Sequence, residues 1–114
     1  MSVKLTTRQV GDVTVVDAVG RITLGEGAST FREKVRELAG GGHKKMLLNL
    51  AEVSYIDSSG IGEMVSGFTT VANQGGQLKL LNLTKRVKDL LQITKLYTVF
   101  EVFDDEAAAV RSFA

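Results

Sequence analysis

The decapeptide YIDSSGIGEM, Tyr55 to Met64, sets an acid and two hydroxyls beside two glycines, between two apolar runs. Several chemistries use that vocabulary. Asp57 can cap a helix, its carboxylate accepting from the backbone N–H of Ser59 or Gly60, a contact typically worth about 1 kcal/mol. Ser58 is then the first helical residue, with its hydroxyl at the rim, near unpaired N–H groups and the positive end of the helix dipole. A phosphate cradle is a second reading, but Gly60-Ile61-Gly62 lacks the Gly-Lys-Ser/Thr ending of a nucleotide loop and the longer spacing of a dinucleotide fingerprint. A hydrolase nucleophile is a third; it requires Gly-x-Ser-x-Gly and a base, and the single histidine, His43, lies in GGGHKK, which reads as an exposed loop. In the fourth reading Ser58 is itself modified. A plain capped turn built from small residues competes with all of these.

The elements that must position this stretch follow from changes of hydrophobic period. Val3 to Val10 and Val13 to Val19 are rich in β-branched residues and flank Gly11-Asp12, which reads as a hairpin. The glycine-rich connection Leu24-Gly25-Glu26-Gly27 leads to a helix with Phe31, Val35 and Leu38 at helical spacing, stopped by Gly40-Gly41-Gly42. Met46 to Leu50 suits a strand buried on both faces. After Gly60 the period turns helical, with Ile61, Met64, Val65, Phe68 and Ala72 on one face, until Asn73-Gln74-Gly75-Gly76. Leu78 to Leu83 is a further buried strand, and Thr84 can cap a helix carrying Val87, Leu90 and Leu91. Tyr97 to Phe103 reads as a last strand, after which Asp104 or Asp105 opens a short helix. This rhythm predicts an α/β fold: a mixed, mostly parallel sheet with an N-terminal antiparallel hairpin and about four helices packed on it. It places Ser58 at the C-terminal end of a central strand, where α/β sheets usually carry function.

Composition removes several function classes. The 114 residues fit one domain, 1–114, and the absence of proline and of any serine-rich linker leaves no internal boundary. Net charge is +1 with the two signs interspersed, so there is no footprint for nucleic acid or an anionic membrane. With no cysteine there is no disulfide, thiolate nucleophile or thiolate metal site. No nucleophile pairs with a base, and no carboxylates and histidine gather at metal-ligand spacing; neither an enzyme nor a metal site is expected. The opening Met-Ser-Val-Lys-Leu-Thr-Thr-Arg lacks a basic region followed by an apolar one, and no apolar run approaches the length of a membrane span. A cytoplasmic protein without membrane insertion is the expectation.

The run LLNLAEVSYIDSSGIGEMVSG, followed by GGQLKLLNLTKRVKDLLQITKLYTVFEVFDDEAAAV, resembles the STAS domain of bacterial anti-sigma factor antagonists. The resemblance covers nearly the whole chain and is strongest from Met46 to Asp105. There the family's Asp-Ser-Ser/Thr-Gly-hydrophobic-Gly signature matches Asp57-Ser58-Ser59-Gly60-Ile61-Gly62. It implies that Ser58 is phosphorylated by a partner that is both an anti-sigma factor and a serine kinase of the histidine-kinase-like ATPase type. A metal-dependent serine phosphatase reverses the modification, and ATP and Mg²⁺ belong to the kinase. Asp57, Ser59 and Gly60 would support the site, and no cofactor is implied for this chain.

If Ile61, Met64, Val65 and Phe68 face the sheet, then Ser59, Gly62, Glu63 and Ser66 lie outward near Ser58 and form a docking stripe. Gly25, Glu26 and Gly27 should join them, with Asn82-Leu83-Thr84 as a second loop on the same edge. The chain departs from the family at Gly20-Arg21-Ile22-Thr23, where many antagonists carry Asp in place of Thr23; threonine hydrogen-bonds but cannot pair ionically with a basic partner. Glu26 is a possible substitute. STAS domains also serve as non-switching subunits of lipid-transport ABC complexes or of signalling scaffolds. A phosphorylatable residue at Ser58 favours the switch over that alternative.

Overall fold

The computed structural model describes residues 3–113. Strand β1 (Val3–Val10) and strand β2 (Val13–Ile22) pair antiparallel about Gly11-Asp12, and Gly11 takes the positive φ of 63° that a two-residue hairpin turn demands. Helix α1 (Glu26–Gly40), strand β3 (Lys45–Ile56), helix α2 (Ser58–Asn73), strand β4 (Gln77–Leu81), helix α3 (Lys85–Ile93), strand β5 (Val102–Phe103) and helix α4 (Glu106–Arg111) follow. The sheet order is β1-β2-β3-β4-β5, with every pair after the first parallel. When parallel strands add sequentially in one direction, right-handed crossovers place their helices on one face.

The core confirms that placement. Ile22, Phe31, Val35, Met46, Leu48, Ile61, Met64, Leu80, Val87 and Leu91 form one buried cluster beneath α1, α2 and α3. Val13, Val15, Leu47 and Leu81 point to the opposite face, where Ala109 and Phe113 cover them. There the side chain of Lys79 is buried on β4. Its Nζ donates to the carbonyl O and Oγ of Ser112 at 3.0 and 2.9 Å and lies 4.7 Å from the Phe113 ring centroid, fastening α4 to the sheet. Arg8 binds Asp17 at 2.7 Å and also reaches Glu106, tying the hairpin to the same helix. Among the described residues, no helix is long and apolar enough to cross a membrane.

Three sequence expectations are corrected. Tyr97 to Phe103 is not one strand. Lys95 adopts φ 62°, the N–H of Leu96 returns to the carbonyl of Leu91 at 2.9 Å and that of Val99 to Leu96 at 3.0 Å, so a turn occupies the segment until Val102. Phe100 is nevertheless buried, its ring edge-on to Phe68 at 5.5 Å, which accounts for the apolar pattern without a strand. The second and third strands run further than their apolar stretches, to Ile22 and Ile56, because they pair with each other through Arg21↔Tyr55 and Ile22↔Ile56 across two irregularities. In α2, Gly67 and Val71 are buried whereas Ala72 is exposed, so the inner face is rotated slightly from the one expected.

Candidate functional site

The sheet topology brings the C-terminal ends of β2, β3 and β4 and the N-termini of α1, α2 and α3 to one edge. Asp57 occupies the centre of that edge. Its backbone is extended, as an N-cap requires, and its Oδ1 accepts from the N–H of Gly60 at 3.0 Å. The other oxygen, Oδ2, accepts from the backbone N–H of Leu24 at 2.9 Å. One carboxylate therefore caps α2 and fastens the β2–α1 loop to it. Burial pushes the Asp57 carboxyl up, but hydrogen bonds from the N–H groups of Leu24 and Gly60, with Ser59 close by, outweigh it and hold its pKa below the ordinary 3.8.

The sign of that shift gives a prediction. A depressed carboxyl pKa contributes stability that is complete above the unfolded value of 3.8 and is lost as pH falls through the folded value. In urea unfolding followed from about pH 5 downward, Asp57→Asn is expected to decline less steeply than wild type. An asparagine can still cap, yet its amide nitrogen cannot accept from Leu24. Parallel curves for the two proteins would show that Asp57 makes no titrating contribution.

Two glycines make the close approach possible. A Cβ on Gly60 would lie 2.1 Å from the carbonyl oxygen of Ile22, and one on Gly27 would lie 2.6 Å from that of Arg21. The first turns of α1 and α2 thus close against the last two carbonyls of β2. Gly27 is buried by this contact, so its expected place on a partner surface is corrected. Thr23 is half-buried and its carbonyl accepts from Ala28 at 2.8 Å; Gly25, at φ 95°, and Glu26 are exposed.

Ser58 is the first residue of α2 and is exposed, adjacent to N–H groups that have no carbonyl partner within the helix. Ser59 is half-buried, while Gly62 and Ser66 are exposed further along the outward side. Glu63 departs from the expected free stripe: its carboxylate pairs with Arg32 of α1 at 3.0 Å and ties the two helices together. Thr84 caps α3 through the N–H of Val87 at 3.3 Å, and Arg86 stacks over the ring of Tyr55 at 4.2 Å. Two residues of this edge were missed from sequence. Arg32 shows no signal beyond an ordinary helical charge, whereas Leu24 was recognisable as a large apolar residue set alone in a glycine-rich loop.

Among the described residues, no side chain hydrogen-bonds to the Ser58 hydroxyl. His43 sits before β3, at the strand end opposite Ser58. It is half-buried rather than in an exposed loop, with Nδ1 2.7 Å from the hydroxyl of Thr14. The side chains around Ser58 supply a cap, exposed small residues and an apolar loop, an arrangement suited to being covered by another macromolecule.

Comparison with known proteins is consistent with this geometry. Residues 4–109 match the family model described as "STAS domain". The chain is 35% identical over 102 residues to the anti-sigma-B factor antagonist of Bacillus subtilis (strain 168), covering 90% of this chain and 92% of the relative. In backbone it resembles an anti-sigma factor antagonist from Mycobacterium paratuberculosis, with TM-score 0.87 at 14% identity over 98% of this chain and 94% of that one. It also resembles the Bacillus cell-fate determinant SpoIIAA in its phosphorylated form, with TM-score 0.73 at 20% identity over 96% and 99% of the two chains.

Proposed function

The chain belongs to the STAS domain family, and from that premise we propose that it is an anti-sigma factor antagonist switched by a phosphate on Ser58. Unmodified, it sequesters an anti-sigma factor that is also a serine kinase of the histidine-kinase-like ATPase type, and so frees a sigma factor. Phosphorylation of Ser58 releases that partner, and a metal-dependent serine phosphatase restores binding. The kinase supplies ATP and Mg²⁺; this chain supplies the acceptor hydroxyl and the surface around it.

The observation that carries this reading is the exposed Ser58 hydroxyl at the first turn of α2, directly beside a cap that already anchors the neighbouring loop. A phosphate brings roughly −1.5 to −2 charges at neutral pH, and a helix N-terminus tolerates them through its dipole and unpaired N–H groups. The fold is therefore preserved. A partner packed over the same spot would have to desolvate that charge beside the Asp57 carboxylate, so the complex is lost. The switch needs no movement of the backbone.

Incubation with the cognate kinase and ATP is expected to add one phosphate by intact mass, mapped to Ser58 by peptide sequencing, and none to Ser58→Ala. A phosphate mapped to Ser59 or elsewhere would overturn the assignment.

A further inference from the structure

We infer that Leu24 is the apolar anchor of the anti-sigma factor contact, entering an apolar cleft on that partner whose rim carries a basic group. This rests on the binding function proposed above. Leu24 is 79% exposed, whereas the other large exposed apolar residues, Ile93 and Val19, lie at the end of α3 and in the middle of β2. No fold requirement holds it there, since its side chain contributes to neither core cluster. What fixes it in place is backbone chemistry: its N–H is held by Asp57 Oδ2, the residue that immediately precedes Ser58 in the chain.

The loop on either side is equally ordered. The Thr23 carbonyl accepts from Ala28 and the Gly25 carbonyl from Ser29, at 2.8 and 3.0 Å, while Gly25 makes the turn at φ 95°. The isobutyl group is thus presented on a preorganised loop, and a partner that buries it need not order the backbone first. Asp57 and Glu26 flank it, and neither is ion-paired among the described residues, which gives the loop a negative rim and the partner's cleft a basic one. Leu24 and Ser58 bracket the same carboxylate, so a surface that covers one reaches the other. This joins affinity and switching in a single patch.

The test measures binding of unphosphorylated wild type, Leu24→Ser and Leu24→Met to the cognate anti-sigma factor by titration calorimetry, with thermal unfolding of each. Leu24→Ser is expected to bind roughly 10- to 100-fold more weakly, Leu24→Met within about threefold of wild type, and all three to unfold alike. Wild-type affinity for Leu24→Ser, in a system where phosphorylation still abolishes binding, would overturn the anchor and leave the switch standing. Equal losses in Leu24→Ser and Leu24→Met would also overturn it, since methionine retains the apolar bulk. Failure of wild type itself to bind would instead remove the reading on which the inference rests.

Discussion

Ser58→Asp is expected to bind the anti-sigma factor about 100-fold or more weakly than Ser58→Ala, while both variants unfold within about 1 kcal/mol of wild type. The two halves of this prediction have separate causes. In the free protein Ser58 is exposed, so the new carboxylate stays hydrated at a helix N-terminus, where an acid is favourable by typically 0.3–1 kcal/mol. Repulsion from Asp57 offsets part of that gain. In the complex the same carboxylate would lose its water beside Asp57, whose own charge already matches the basic group on the partner's rim, and a second buried charge left without a partner costs about 3–5 kcal/mol. Ser58→Ala removes one exposed hydroxyl and adds no charge, so it should bind constitutively and resist the kinase. Equal affinities for the two variants would sink charge exclusion, and unfolding of Ser58→Asp would mean that the phosphate acts through the fold instead.

The capped turn at Ser58 is legible in the sequence because its parts are local, whereas the phosphorylation proposed for it rests on the family resemblance. A strand ending in an Asp, two serines and a glycine encodes its own cap, and the hydrogen bond from Gly60 to Asp57 joins residues three apart. The strand and helix rhythm was readable for the same reason, since periodicity is a property of short windows. What stayed hidden depends on partners distant in sequence. The second oxygen of Asp57 holds Leu24, and Glu63 faces Arg32, contacts across more than thirty residues that leave no trace in periodicity. Gly27 reads as part of a docking loop but is a close-packing requirement set by the carbonyl of Arg21. The segment Tyr97 to Phe103 misled for a related reason. Its apolar residues Tyr97, Val99 and Val102 pack against the core that holds Phe100, and composition does not distinguish that from pairing with β4.

Gly60→Ala is expected to destabilise the protein by about 3 kcal/mol or more, whereas Gly62→Ala, two residues along the same helix, should stabilise it by about 0.5–1 kcal/mol. Helix propensity favours alanine at both positions, so any difference in sign must come from the surroundings. At Gly62 an added methyl meets nothing within 4 Å, and only the propensity gain remains. At Gly60 it would lie 2.1 Å from the Ile22 carbonyl oxygen and 2.7 Å from Ile56 Cγ1, both on central strands. The carbonyl cannot retreat without breaking the β2–β3 ladder at Ile22↔Ile56 and its own contact with the Asp57 N–H at 3.4 Å. The alternative is for α2 to rise off the sheet, which withdraws the Gly60 N–H from Asp57 and releases Leu24 from the other oxygen. Gly60→Ala should therefore lose partner affinity as well as stability, since the strain falls on the residue that aligns loop and helix. Urea unfolding of the two variants reads the stability difference directly; a stable Gly60→Ala with intact binding would show that α2 is not seated on β2 by this contact.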